Sequence, residues 1–346
     1  MKYRMKKTTV YLMVLLLAAG VCGCGRQTQA FDRTGIAMGT MVHQTVYGSS
    51  VQTAGELMDE ITAVMEELEG QISWRLEDSQ IGQINELAGD PKGSSVEEKL
   101  AGDLQTLWQL SRDSRGALDL TIGPVVRLWD IDTWAVTGEG SLPGESQIQE
   151  RLGATGYEQV TLEDGRIFLP SGYELDLGAV GKGMACDRIL EVLTGQQLYS
   201  TGQAPCGAVI SLGGSVLTYG SKPHGEAWRV GIVDPNRPDG YLGTLTLKGT
   251  HFISTSGDYE RYVEVDGVRY HHIIDPATGY PADSGVRSVT ILSHSGLLGD
   301  GLSTACFVLG PEKGLELAAA YEAEILIVTE NGELVMSDGM REVFQK

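Results

Sequence analysis

Residues 175–187 read Leu-Asp-Leu-Gly-Ala-Val-Gly-Lys-Gly-Met-Ala-Cys-Asp, an extended stretch that runs into a glycine-rich turn and then a helix. Glycines in such a turn let backbone N–H groups approach a phosphate, and the N-terminus of the helix favours negative charge. Lys182 is placed to meet that charge. The spacing differs from a Walker A loop, because Met184 stands where Ser or Thr is required, and from a G-x-G-x-x-G loop. Taken alone, the stretch is more typical of a tight turn with a solvated lysine.

Around this stretch, strands and helices follow one another in an irregular order. A strand at 41–47 precedes a helix at 51–69, in which apolar residues recur at helical spacing. We expect a loop at 132–145, a strand end at 175–179, and hairpins at 157–173 and 323–336. Further helices are predicted at 93–114, 146–152, 183–195, 295–309 and 314–321, and strands at 209–219, 228–233, 241–251, 259–265, 268–274 and 286–292. This order favours an α+β fold, with mixed sheets and flanking helices, over a doubly wound parallel sheet.

The N-terminus has the pattern of an export signal. A basic start is followed by an apolar run at 10–21 and by the sequence Cys22-Gly23-Cys24. The run is too short for a comfortable transmembrane helix, although an uncleaved membrane anchor is the alternative. We therefore predict a signal peptide at 1–23, a tether at 24–33, and one domain at 34–346.

Residues 21–24 resemble a bacterial lipobox, in which a small residue precedes an acylated cysteine. Cys24 fits better than Cys22, because Gly23 precedes Cys24 whereas the bulkier Val21 precedes Cys22. The resemblance implies that Cys24 is lipidated. It also implies that the mature protein is anchored on the extracytoplasmic face of the bacterial cell membrane, where more than one acyl chain gives stable attachment.

The charge and the cysteine content exclude some classes of protein. The formal net charge is −20, so the surface repels nucleic acid and anionic lipid. A polyanionic substrate would need a local cation, backbone N–H groups or a few placed bases, and this favours a metal site. Beyond the signal and Cys24, three cysteines remain, Cys186, Cys206 and Cys306. So few argue against a disulfide framework and favour small buried thiols.

A candidate metal site lies in the sequence Gly299-Asp300-Gly301-Leu302-Ser303-Thr304. Asp300 and Thr304 are four residues apart, so they share one face of a helix. A carboxylate and a hydroxyl, completed by phosphate oxygens and water, suit Mg²⁺. The alternative is that Asp300 is a helix N-cap with Ser303 at the third helical position.

A candidate base lies in residues 271–281, which read His-His-Ile-Ile-Asp-Pro-Ala-Thr-Gly-Tyr-Pro. A strand ends there in a Pro/Gly turn, and a neutral imidazole can take a proton from a hydroxyl nucleophile. Strand alternation places His271 and His272 on opposite faces, which disfavours a metal site shared by both. The alternative is a plain turn in which Asp275 caps local N–H groups and one histidine is merely exposed.

Smaller segments complete the set. They include residues 38–40, 116–121 and 254–259, and the pair Ser73-Trp74. Met38 and Trp74 have the flat or polarizable side chains that contact a ring system. Each segment alone is more often core or turn.

Five motifs, taken together and in this order, resemble the ApbE family of FAD:protein FMN transferases. They are residues 38–40, 116–124, 176–187 and 272–279, and the pair Asp300 with Thr304. The resemblance runs from about residue 34 to near the C-terminus. It implies a single catalytic domain of two fused lobes.

The resemblance also implies roles for individual residues. For FAD, which is the substrate, it implies contacts by Met38, Trp74, Ala117, Leu118, Asp119, Asp176, Lys182 and Ile274. For Mg²⁺ it implies the carbonyl of Ala179 with the side chains of Asp300 and Thr304. It implies catalytic roles for His272, as the proton acceptor, and for Lys182. Because His271 directly precedes His272, which imidazole acts is left open.

The implied reaction is Mg²⁺-dependent transfer of FMN from FAD to a Ser or Thr hydroxyl of an acceptor protein, through a phosphoester bond and with release of AMP. Family acceptors have an FMN-binding domain with a Ser/Thr-Gly-Ala-Ser/Thr type of motif. Two alternatives keep much of the same site. Water in place of the hydroxyl would give a metal-dependent FAD pyrophosphatase, and the lipid anchor also suits a flavin-binding lipoprotein without catalysis.

Overall fold

The structure, a computed structural model, describes residues 28–195 and 205–346. The predicted signal peptide and Cys24 lie outside these residues. The strands are β1 Gln29–Ala37, β2 Thr40–Gly48, β3 Ser94–Ser95, β4 Thr161–Glu163, β5 Arg166–Phe168, β6 Gly207–Leu212, β7 Ser215–Gly220, β8 Trp228–Asp234, β9 Arg237–Leu247, β10 His251–Gly257, β11 Tyr262–Val265, β12 Val268–His271, β13 Val286–Ser293, β14 Glu324–Thr329, β15 Leu334–Met336 and β16 Phe344–Gln345. The helices are α1 Val51–Ile72, α2 Gln80–Glu86, α3 Glu98–Asp113, α4 Gly123–Trp129, α5 Ile131–Thr137, α6 Glu145–Leu152, α7 Gly181–Thr194, α8 Gly296–Leu309, α9 Pro311–Ala320 and α10 Asp338–Val343.

An eight-stranded sheet organises the molecule. Its order is β1-β2-β6-β7-β10-β13-β14-β15, and every neighbouring pair is antiparallel. Smaller sheets join β16-β9-β8, β3-β5-β4 and β11-β12. Helices pack against the large sheet, so the predicted α+β class with flanking helices is confirmed.

Helices α1, α7 and α8 place the main core beside the large sheet. Helix α1 buries an apolar stripe with helical spacing, and it packs on α7. Helix α8 packs on α7 and on strands β10 and β13. A second cluster of buried apolar residues lies around Trp228 in β8, and a third lies around Trp129 at the end of α4. The third cluster supports one wall of the candidate site.

Helices α7 and α8 approach each other through two glycines near their N-termini. A Cβ added to Gly183 would lie 2.0 Å from the carbonyl oxygen of Gly296, and one added to Gly296 would lie 2.2 Å from that of Gly183. Side chains at either position would therefore force the helices apart. This close approach lets the backbone N–H of Gly183 donate to Asp300 across the contact, at 2.6 Å.

The domain begins earlier than residue 34. Residues 29–33, which were predicted to be tether, belong to β1 and pair with residues 44–48 of β2. The turn between the strands is Met38-Gly39, with φ of 52° and 67°, the left-handed pair that suits a two-residue hairpin. Non-glycine residues rarely adopt this geometry, so Met38 gave no turn signal.

Several other boundaries differ from the predictions. Residues 131–137 of the predicted loop at 132–145 form α5, which Asp130 and Gly138 bound in left-handed conformation. The predicted strand at 209–219 is two strands, because Gly213-Gly214 turns the chain between β6 and β7. Residues 175–179 form no strand, and residues 94–95 pair with β5 before α3 begins. Across residues 28–195 and 205–346, no helix combines the length and the apolar character that crossing a membrane requires.

Candidate active site

A deep cavity and an adjoining groove form one continuous site. The cavity lies between the loop before α4, the turn before α7, the end of β10, and the segment after β12. The groove runs from the β1–β2 turn, along the end of α1, to α5. Seven residues line both compartments and so form a neck between them: Arg75, Val126, Asp132, Asp176, Gly178, Lys182 and Arg261.

The cavity and groove bring together most of the residues predicted from the sequence. Met38 and Trp74 line the groove. Asp300 lines neither compartment and is buried behind the cavity wall, with 4% of its surface exposed. The cavity is lined by Ala117, Leu118, Asp119, Asp176, Ala179, Lys182, His272, Ile274 and Thr304.

The turn before α7 presents Lys182 to the neck. The side chain of Asp176 accepts the N–H of Gly178 at 2.7 Å, and the N–H of Gly181 donates to the carbonyl of Leu177 at 2.9 Å. These bonds close the turn and start the helix at Gly181. Burial raises the pKa of Asp176. The first turn of α7 therefore brings a cation and a helix N-terminus to one place, which suits an anionic group.

Asp300 lies inside α8 and does not cap it. Ser295 is the N-cap, and its side chain accepts the N–H of Leu298. The alternative of a capping Asp300 is therefore wrong. The N-cap lies five residues before Asp300, and only His294 separates it from the end of β13. The predicted shared face of Asp300 and Thr304 holds, since both lie in one continuous helix.

Three donors orient the Asp300 carboxylate. Oδ1 accepts the hydroxyls of Ser215 at 2.7 Å and Ser254 at 2.6 Å, and Oδ2 accepts the N–H of Gly183. Burial raises the pKa of Asp300, while Lys182 and these donors oppose the rise. Two oxygens offer about four acceptor positions, so the carboxylate keeps capacity for one further partner.

The oxygens near the cavity floor form a set that fits Mg²⁺. Ala179 and Thr304 line the cavity and offer a backbone carbonyl and a hydroxyl, and Asp300, behind the wall and one helical turn from Thr304, offers a carboxylate; all are hard donors. In the described ranges 28–195 and 205–346, no group of three or more His, Cys, Asp or Glu side chains is placed to hold a metal. A site with one carboxylate suits an ion that also binds substrate phosphates and water, as Mg²⁺ does.

The two histidines differ in what they contact. His271 is buried, packs edge-on against Phe307, and has both ring nitrogens engaged, Nε2 with the carbonyl of Ala282 and Nδ1 with the N–H of Ile273. His272 lines the cavity. The predicted placement on opposite sides is therefore confirmed, and only His272 of this pair reaches the candidate site.

The tautomer of His272 follows from its hydrogen bond. Nδ1 lies 3.2 Å from the carbonyl oxygen of Arg261, which can only accept, so Nδ1 carries the proton. Nε2 of the neutral ring is then the basic atom. Burial, followed by the positive charge of Arg261, holds the pKa of His272 well below its usual range, although Asp132 opposes this. His272 is thus a neutral base at physiological pH.

Asp119 shapes the cavity wall. Its Oδ1 accepts the N–H and the hydroxyl of Thr121, at 2.8 and 2.7 Å, and its Oδ2 accepts the N–H of Tyr157 at 3.0 Å. The carboxylate thereby ties residues 119–121 to the segment that follows α6. Adjacent Ala117 and Leu118 are held in the wall by the same loop.

Trp74 lies in the groove between charged partners. The guanidinium carbons of Arg75 and Arg127 each lie 4.3 Å from the centre of a Trp74 ring. Arg127 also pairs with Glu174 at 2.5 Å. The indole is therefore held in place by cation–π contacts, which orient it in the groove wall.

Sequence reasoning missed several residues that the structure brings to the site. The sequence did not mark Ser215, and it marked Ser254 only as part of the segment 254–259. Both hydroxyls nevertheless donate to Asp300. Arg75, Asp132 and Arg261 meet at the neck from three separate segments. The only local signal for Arg261 was its position in a polar run that follows Ser254–Tyr259.

The fold and the site define an α+β protein in which charged side chains line a cavity. The sequence model of the ApbE family matches residues 38–327. Two curated relatives are both FAD:protein FMN transferases. The relative from Vibrio cholerae serotype O1 is 30% identical over 347 aligned positions, covering 98% of this chain and 96% of the relative. The relative from Treponema pallidum is 32% identical, with coverage of 92% and 90%.

Solved structures agree with these relatives. An ApbE protein from Thermotoga maritima matches with a TM-score of 0.78 and 32% identity, covering 92% of this chain and 100% of that one. The flavinyl transferase ApbE from Pseudomonas stutzeri matches with a TM-score of 0.75 and 29% identity, with coverage of 92% and 98%. The chain therefore belongs to the ApbE family and is a transferase.

Proposed function

We propose that this protein transfers FMN from FAD to a Ser or Thr hydroxyl of an acceptor flavoprotein. The observation that carries the proposal is the single cavity in which Lys182, His272 and Thr304 meet, although they come from separate segments of the chain. The names of the relatives support the same activity. The finer steps follow from what each residue of this cavity can do.

The chemical step exchanges the phosphoanhydride bond of the FAD pyrophosphate for a phosphoester bond to the acceptor. The acceptor oxygen forms a bond to the FMN-side phosphorus, the bond from that phosphorus to the AMP oxygen breaks, and AMP leaves. The hydroxyl proton passes to Nε2 of His272, which is unprotonated and lines the cavity. Lys182 offsets phosphate charge at the neck.

We assign Mg²⁺ to Asp300, Thr304 and the carbonyl of Ala179. Bound there, the ion would polarise the phosphoryl group and offset the charge that develops on it. The protein's own part is to hold the carboxylate. Ser215, Ser254 and Gly183 orient Asp300 without using all of its acceptor positions. Bound Mg²⁺ and Lys182 would together give the local positive charge that a dinucleotide needs in a chain of net charge −20.

We further propose that the protein acts on the extracytoplasmic face of the bacterial membrane, anchored by lipid on Cys24. The basic and apolar residues at 1–21 and the Gly23-Cys24 pair support this proposal. Labelling cells with a fatty-acid analogue tests it. We expect Cys24→Ser to abolish label and Cys22→Ser to keep it, and the reverse pattern would reassign the lipid to Cys22.

A transfer assay tests the proposed activity. The enzyme is incubated with FAD, MgCl₂ and an acceptor domain that contains the Ser/Thr-Gly-Ala-Ser/Thr type of motif. We expect a fluorescent flavin band on a denaturing gel and release of AMP, both dependent on Mg²⁺. An acceptor in which the Ser or Thr is replaced by Ala is the matched control and should remain unlabelled.

The same assay distinguishes the alternatives. Free FMN and AMP without a labelled acceptor would show a pyrophosphatase in which water replaces the hydroxyl. FAD binding without any turnover would show a carrier lipoprotein. Asp300→Ala separates enzyme from carrier, since we expect it to abolish turnover while the chain stays folded, whereas a carrier has no need of a magnesium site.

A further inference from the structure

The neck between cavity and groove holds three cationic side chains and two carboxylates, Asp132 and Asp176. Three cationic side chains, Arg75, Lys182 and Arg261, line both compartments. A dinucleotide consists of two flat ring systems joined by a pyrophosphate. Two compartments joined by a cationic neck match that shape, with the pyrophosphate at the neck.

Arg75 and Arg261 converge on one carboxylate oxygen. The Nη1 atom of Arg261 lies 2.8 Å from Oδ2 of Asp132, and the Nη2 atom of Arg75 lies 3.4 Å from the same oxygen. Trp74 packs against Arg75, with 4.3 Å between the guanidinium carbon and a ring centre. Asp132 thus fixes two guanidiniums from distant parts of the chain in one place. We call these three residues the Arg–Asp–Arg clasp.

The clasp keeps a surplus of hydrogen-bond donors. Its two guanidiniums share the carboxylate of Asp132, and Nη1 of Arg75 also lies 3.9 Å from Oδ1 of Asp130, an ion-pair distance that is too long for a hydrogen bond. The side chains of Arg75 and Arg261 remain 45% and 39% exposed. Asp132 engages only part of the N–H donors of each guanidinium, and the rest are free to meet phosphate oxygens in the geometry that arginine favours.

Resting on the proposed function, we propose that the Arg–Asp–Arg clasp binds the pyrophosphate of the dinucleotide. Arg75 and Arg261 donate hydrogen bonds to its oxygens, beside Lys182. Asp132 is a positioning residue, because its carboxylate fixes the orientation of both guanidiniums. The clasp therefore selects for a dinucleotide over a flavin that lacks phosphate.

Ligand binding to the full chain, with MgCl₂ present, tests the clasp. Affinities for FAD and ADP are measured by calorimetry, and affinity for riboflavin by fluorescence quenching. We expect Arg75→Ala and Arg261→Ala each to lower the affinity for FAD and ADP by about tenfold or more, since each removes charge-assisted hydrogen bonds. Riboflavin affinity should stay unchanged, since Arg127 still contacts Trp74 when Arg75 is replaced. The control is Arg229→Ala, an exposed arginine on β8 that lines neither compartment.

Two results would overturn the proposal. Equal weakening of riboflavin and FAD would show that the arginines only shape the walls, and unchanged affinity for FAD and ADP would show that they do not bind phosphate. If an alanine variant fails to fold, the lysine variants replace it. The lysine variants keep the charge but lose the planar guanidinium. Their affinity for FAD and ADP should therefore fall by a smaller factor, while their affinity for riboflavin should not fall.

The outcome is separable from that of the proposed function. If the wild-type protein transfers FMN and the variants bind FAD normally, the clasp is wrong and the function stands. If the wild type binds FAD but labels no acceptor, the function is wrong. The clasp is then still judged by the ratio of FAD to riboflavin affinity.

Discussion

At the scale of single residues, the orientation of one imidazole decides the proposed chemistry. His272 donates through Nδ1 to the carbonyl of Arg261, and this bond leaves Nε2 as the unprotonated nitrogen of a ring that lines the cavity. The bond comes from backbone, so it persists when the side chain of residue 261 is changed. His271, one residue away, has both nitrogens engaged within the core.

We expect His272→Ala to lower the rate of FMN transfer by about 10²-fold or more, because it removes a general base. His271→Ala is the matched control. It should lower the melting temperature, since it opens space against Phe307, but it should leave the rate of the folded protein within about tenfold of wild type. Equal losses of rate in both folded variants would contradict the assignment of His272.

The pH dependence gives an independent test. The ordinary pKa of histidine is 6.5, and burial together with Arg261 lowers that of His272. A base with a lowered pKa stays unprotonated as pH falls, so kcat/KM for FAD should not decline through His272 between about pH 8 and 6.5. An acidic limb near pH 6.5 that disappears when another residue replaces His272 would contradict this expectation. The parameter kcat/KM is the one to measure, because it reports the free enzyme.

At the scale of elements, the crossing of α7 and α8 carries the site. Gly183 and Gly296 let the two helix starts approach so closely that the N–H of Gly183 reaches Asp300. Lys182 precedes this contact, and Thr304 lies one turn beyond Asp300 in α8. The glycine pair therefore sets the spacing between the turn before α7 and the proposed metal ligands.

We expect Gly183→Ala to destabilise the fold by about 1–3 kcal/mol, since its Cβ would meet a backbone oxygen that has little room to move. It should also weaken Mg²⁺-dependent activity in the fraction that folds. Gly70→Ala in α1 is the control, because a Cβ there meets nothing within 4 Å. That change should stabilise the helix by about 0.5–1 kcal/mol. Urea denaturation of both variants measures the difference, and a neutral Gly183→Ala would contradict the close crossing.

At the scale of the whole molecule, the large sheet extends into the segment before the predicted domain start. Residues 29–33 of β1 pair with residues 44–48 of β2, and Phe31 packs against the main core. The sheet therefore includes part of what was predicted to be a tether. Only residues 24–27 of that tether are left, and they lie outside the described part of the chain.

Truncation tests this boundary. A chain that begins at residue 28 should keep wild-type stability. A chain that begins at residue 34 should lose about 1–3 kcal/mol, because it loses half of the β1 ladder and the burial of Phe31. Thermal melts of the two chains measure the effect. Equal melting temperatures would place the start of the cooperative domain at residue 34 after all.

The cysteines also show how burial depends on the whole molecule. All three described thiols are free, as the sparse count predicts, and Cys186 and Cys306 are buried. Cys206 is exposed, which contradicts the expectation of a buried thiol. It lies just before β6, where the chain enters the sheet, and nothing in its local sequence marks that position.

Local patterns in the sequence determined much of the local geometry of the candidate site. The spacing of Asp300 and Thr304, the alternation of His271 and His272, and the turn that precedes Lys182 all follow from geometry over a few residues. For that reason the structure keeps them as predicted. The class of fold followed in the same way, from the irregular order of strand and helix patterns.

Only the tertiary structure decided which of these groups meet. Ser215 and Asp300 are 85 residues apart, and Asp132 and Arg261 are 129 apart. No local pattern records such pairs, because they form only when sheet and helices pack. The same packing brought His272, and not His271, to the cavity and placed Asp300 inside a helix instead of at its cap. It also gathered two arginines around Asp132, where the sequence alone predicted a loop.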